Sequence, residues 1–187
     1  MAKAKVLTRI RGHQIDGQNV CCTGTQLISI LKVLENPLAE CSWYVVDIST
    51  NHPLPGIFKA LHEPIRLGNT STLIKACKRC DQFLTGIFLA VPDRVKHPTW
   101  SRIFDTLDEP FGDLGPAVLE IRAFDTTYFE IYSSDTESVQ MLCDRFASQL
   151  VEAQGPLEEL SDDTAKGGIK DDFSSDAQSI PCWIKTG

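Results

Sequence analysis

Three observations in the sequence predict an α+β fold: one domain with a mainly antiparallel sheet, about three helices packed largely on one face, and an acidic C-terminal tail. Residues 117–135, AVLEIRAFDTTYFEIYSSD, alternate apolar and polar positions on both sides of a turn, as a β-hairpin does. Strand-like and helix-like segments do not alternate strictly, so a parallel α/β sheet is not expected. The composition, 187 residues with 42% hydrophobic and 23% charged, suits a single domain able to bury a sizeable core.

Residues 4–10, AKVLTRI, predict a first strand, with turn chemistry at Gly12 and Asp16-Gly17 and a short strand ending near Cys22. TGTQLISILKVLENP predicts a helix capped at Thr25 and stopped by Asn36-Pro37. Its apolar positions, Leu27, Ile28, Ile30, Leu31, Val33 and Leu34, cover more than a stripe and predict a mostly buried helix. CSWYVVDIS (41–49) is rich in β-branched and aromatic residues and predicts a strand. The proline-punctuated stretch after it holds one short helix, IFKALHE. Residues 70–82 predict a helix capped at Thr70 or Ser71, and FLTGIFLAVP (83–92) a buried central strand.

Residues 93–115 are loop-like, then the hairpin leads into SDTESVQMLCDRFASQL, a helix with capping-box spacing at Ser134 and Glu137. Val139, Leu142, Cys143, Phe146 and Leu150 share one of its faces. The domain is expected over 1–150. Residues 151–187 hold eight acids against three lysines and read as a flexible tail, too poor in apolar residues to offset ordering entropy. A short apolar anchor at 180–184, around Trp183, ends it, and would dock either on its own domain or on a partner.

The hairpin register follows from its cross-strand pairs. Phe124 opposite Tyr128 sets Ala123 against Phe129, Arg122 against Glu130, Ile121 against Ile131 and Glu120 against Tyr132. Moving two residues away opposes Glu120 to Glu130, which is unfavourable. The loop Asp125-Thr126-Thr127 lacks the glycine that a left-handed position favours, which leaves room for a bulge or another loop. In this register Arg122, Phe124, Tyr128, Glu130 and Tyr132, with Glu120, form a second face: either a solvated or helix-covered side of the sheet, or an interface rich in Tyr and Arg.

Net charge is −7 without a basic run, which disfavours nucleic-acid binding through phosphate neutralisation. No segment approaches the roughly 18 apolar residues of a membrane span, and the N-terminus has no signal-peptide run. The seven cysteines then suit reduced thiols and a cytoplasmic location. Cys77 and Cys80 in CKRC form the only C-x-x-C, a weak metal or redox candidate lying in the second half of its helix, where the dipole opposes a thiolate. The four histidines, His13, His52, His62 and His97, are scattered and show no metal-ligand spacing. Gly68 and the hydroxyls of RLGNTST either hold an anion at a helix N-terminus or, more simply, cap it. The loop acids Asp105, Asp108, Glu109 and Asp113 lack calcium-loop order. Interleaved with Phe104, Leu107, Phe111 and Leu114, they suit a loop pinned by aromatics or a landing site for a basic partner. No phosphate-loop, dinucleotide or nucleophile-elbow pattern occurs, although an active site can assemble in space without one.

These features point away from catalysis and toward a protein-binding inhibitor of the immunity-protein, antitoxin or phage-inhibitor type. Its contact residues would be the hairpin face, the loop acids and Trp183, on a protein partner whose basic surface complements the acids or on a second copy of the chain. No cofactor and no metal is called for. The alternatives are a small enzyme or ligand-binding protein built around Cys77, Cys80, His62 and the acidic loop 105–113, and a structural subunit of a larger assembly.

Overall fold

A computed structural model describes residues 2–52, 63–106 and 113–152, all within one compact unit, Met1–Pro156. It is an α+β fold. The strands are β1 (Ala2–Lys3), β2 (Val6–Ile10), β3 (Cys41–Thr50), β4 (Ile65–Gly68), β5 (Phe83–Pro92), β6 (Asp113–Gly115), β7 (Leu119–Phe124), β8 (Tyr128–Ser133) and β9 (Leu150–Glu152). The helices are α1 (Gly12–Asp16), α2 (Gly24–Leu34), α3 (Thr70–Cys77) and α4 (Thr136–Phe146). Seven strands make one antiparallel sheet in the order β4-β3-β5-β7-β8-β2-β9, while β1 and β6 pair separately.

The sheet has two covered faces. On one, Ile10, Trp43, Val45, Phe88, Ala90, Ile121, Phe129 and Ile131 pack with Leu27, Ile30, Leu31 and Leu34 of α2, Leu73 of α3, and Leu142 and Phe146 of α4. Strand alternation delivers every second residue to this core, and burying each large side chain contributes about 1.5–3 kcal/mol. On the other face Tyr44, Val46, Ile87, Leu89, Val91 and Tyr132 pack with Phe104, Leu114 and Ala117. These three covering residues come from between β5 and β7, Leu114 from β6, and none of the described residues there is helical.

Several local expectations shift by a residue or two. Thr23, not Thr25, caps α2: its Oγ1 accepts from Gln26 N while Gln26 Oε1 accepts from Thr23 N. Asn69 caps α3 through Thr72 N, and Asp135 caps α4 through Glu137 N and Ser138 N. The expected caps, Thr70 and Ser71, are instead the first two residues of α3. The short strand expected near Cys22 is replaced by α1 and a loop that meets the sheet through the isolated Thr23–Gln82 bridge and the hydrogen bond from Phe83 N to Cys22 O. The last helix stops at Phe146 because Ala147 turns left-handed, φ 49°, and Leu150–Glu152 become an edge strand beside β2. IFKALHE, apart from Glu63, lies outside the described residues, as do the acid-rich stretch after Glu152 and the 180–184 anchor.

Candidate interaction surface on the second face of the sheet

The hairpin pairs in the expected register, Phe124 with Tyr128 through Glu120 with Tyr132. Its turn has no glycine and instead places Asp125 and Thr126 at positive φ, 41° and 56°, as in primed hairpin turns, and Thr127 N donates to Phe124 O at 2.8 Å. Asp tolerates the left-handed region better than most residues, so part of the cost falls where it is small.

On the second face, β2 extends the hairpin by one more strand. Arg9 stands opposite Glu130, and Glu130 opposite Arg122, a charge ladder across three strands. Arg9 Nε donates to Glu130 Oε1 at 2.6 Å, and Arg122 Nε to Glu120 Oε1 at 2.7 Å. Arg102, from the covering segment, donates to the other oxygen of Glu120. Glu120, Arg122 and Glu130 are 1%, 2% and 3% exposed, so each charge depends on its partners and not on water. The neighbouring Tyr132 phenol is pushed up by burial first and then by Glu130.

The covering segment is fastened at three points. Trp100 meets Tyr44 and Phe104 edge-on, with ring centroids 6.1 and 5.4 Å apart. Arg102 lies over the Phe104 ring at 4.5 Å while pairing with Glu120. Thr106 donates its N–H and hydroxyl to Asp47 Oδ2 at 2.8 and 2.6 Å, from a bulge in β3 where Asp47 has φ 53°. Pinning by an aromatic, as foreseen for this loop, thus holds for Phe104, which is buried.

Among the described residues, the Phe124–Tyr128 end of the second face is partly open. Phe124 and Tyr128 stack with centroids 5.1 Å apart and planes within 2°, and Arg9 sits 5.2 Å from the Tyr128 centroid. Both rings are half-buried and Arg9 is exposed. Beside Arg9 the surface falls into a cleft of about 580 Å³ whose walls include Leu7, Arg9, Arg11, His13 and Val151.

The expected contact residues therefore divide. Phe124 and Tyr128 reach the surface. Arg122, Glu130 and Tyr132 do not, because the covering segment and Arg9 close over them. Asp105 is exposed, whereas Asp113 accepts its own Gly115 N at 2.8 Å and is half-buried. Asp108, Glu109, Trp183 and His62 lie outside the described residues. Arg9, Arg11 and Arg102 were not foreseen. The alternation of Leu7, Arg9 and Arg11 was a visible signal for the first two, but only the pairing of β2 with β8 gives it meaning.

The described cysteines are all buried. Burial raises the thiols of Cys77 and Cys80, the latter to about 12, so both are protonated at neutral pH, the reverse of what a redox pair requires. Their turn is a packing surface: a Cβ on Gly24 would strike the carbonyl oxygens of both, so the start of α2 rests directly against them. The Cys21 and Cys22 sulfurs lie 3.9 Å apart, and the hydrogen bond from Cys22 lowers the Cys21 thiol while Cys22 is pushed up. Among the described residues, no group of three or more His, Cys, Asp or Glu could hold a metal ion, and no helix is long and apolar enough to cross a membrane.

No protein-family model matches the chain, and neither a curated protein nor a solved structure is significantly similar to it.

Proposed function

We propose that the chain is a non-catalytic binding protein that blocks or sequesters a protein partner, with the Phe124–Tyr128 stack and Arg9 at the centre of its contact surface. The observation that supports this is the arrangement of that end of the sheet. Two parallel aromatic rings and a guanidinium are presented half-exposed on paired strands, and the guanidinium is locked by a buried carboxylate. Tyr and Arg dominate the energetics of protein interfaces, and groups held in place before binding lose little entropy when they dock.

An immunity-protein, antitoxin or phage-inhibitor role is the form of this function that fits a small chain carrying net charge −7. The test is capture of interacting proteins from the native host by the full chain, compared with Phe124→Ala/Tyr128→Ala. A specific partner lost in the double variant supports the proposal; a partner retained unchanged, or none captured by either form, contradicts it.

A further inference from the structure

We infer that the partner presents an acidic segment whose carboxylates seat in the cleft beside Tyr128, against Arg9, Arg11 and His13. This rests on the aromatic tip being the contact surface and adds the chemistry of what docks there. Arg11 follows β2 but keeps extended backbone, φ −94° and ψ 158°, so Leu7, Arg9 and Arg11 point the same way at alternate positions. No acidic residue lines the cleft among the described residues. Glu130 opposes Arg9 from behind and is 3% exposed, while the Arg11 and His13 side chains are exposed.

A cationic cleft favours an anionic ligand against the background of a chain of net charge −7. Leu7 and Val151, the latter 49% exposed, flank the arginines, so apolar residues beside the acids also find contacts. Two further clefts lie beside Tyr44 on this face, one with Glu63 in its wall and one near the β3–β4 edge, and each contains an acid. In the latter Asp93 itself lines the cleft, at the end of the chain Arg66 to Ser42 to Asp93. In the cleft beside Arg9, by contrast, the paired acid, Glu130, lies beneath the surface and Arg11 adds a second exposed guanidinium. A protein segment fits better than a nucleic acid, because two arginines and a histidine neutralise few phosphates while the remaining charge repels a polyanion.

The test titrates the full chain into a fluorescein-labelled glutamate–leucine peptide and follows anisotropy. Saturable binding is expected, weakened about tenfold by Arg11→Glu, as loss of a charge-assisted contact implies. Arg11→Gln should give a smaller loss, and Lys32→Glu, on the exposed side of α2, none. Arg11 lies outside the buried ladder, and circular dichroism of each variant establishes that it is folded. Absence of saturable binding, or equal losses for Arg11→Glu and Lys32→Glu, overturns the inference. So does a single-stranded oligonucleotide that binds more tightly than the peptide and is released by Arg11→Glu. Capture of the native partner separates the two claims. A partner lost by Phe124→Ala/Tyr128→Ala but kept by Arg11→Glu leaves the tip as the contact surface and overturns the acidic segment. A partner kept by both variants overturns both.

Discussion

Glu120 carries more than any other single residue on the second face. It accepts from Arg122 within its own strand and from Arg102 in the covering segment, so removing it takes a hydrogen-bonded carboxylate away from two guanidiniums at once, one of them fully buried. Glu120→Ala is predicted to cost about 3–5 kcal/mol in urea unfolding, whereas Phe124→Ala/Tyr128→Ala, at half-exposed positions, should cost only about 1–3 kcal/mol. The contrast separates what holds the fold from what is proposed to meet a partner. Part of it was legible in the sequence. The pairing of Arg122 with Glu130 follows from register, because charges of opposite sign oppose across the hairpin. That both are buried does not follow, since their third neighbour, Arg9, lies 121 positions from Glu130 along the chain. The covering cation Arg102 comes from a segment with no periodicity to betray it.

At the scale of elements, α4 shows how a cap can be misplaced by one residue. Ser134 and Glu137 have capping-box spacing, yet Asp135 takes the position, with Oδ1 and Oδ2 accepting from Glu137 N and Ser138 N at 3.2 and 3.1 Å. A carboxylate there also gains from the helix dipole, an advantage Ser lacks. The hydrogen bond from Ser138 is the first cause of the lowered Asp135 pKa. A depressed carboxylate stabilises the fold where it is ionised and stops doing so as pH falls through its folded pKa. Asp135→Ala is therefore predicted to lower stability by about 1 kcal/mol at neutral pH, a deficit that shrinks below about pH 4. Unfolding curves at both pH values check it. The covering segment gives a second prediction. Asp47→Ala strips the buried Thr106 of both acceptor contacts, costs about 1–3 kcal/mol, and speeds amide exchange over residues 95–106. Equal exchange in the variant would show that Trp100 and Arg102 hold the segment unaided.

For the whole molecule, the α+β class was readable because long apolar or alternating runs, such as 83–92 and 117–135, allow one interpretation each. Strand order was not readable, since β2 pairs with β8 and β9 from the opposite end of the chain. That order brings Arg9 and Arg11 to the aromatic tip, and with it the candidate surface. It also explains why loop acids looked like the contact region in sequence, while a small cationic cleft does so in three dimensions. The most direct measurement of the central claim is photo-crosslinking in the native host with a benzophenone amino acid placed at Tyr128 or, as control, at Lys32 on α2. The binding tip predicts one discrete adduct from position 128 and none from position 32. Adducts from neither position, or the same adducts from both, would contradict it.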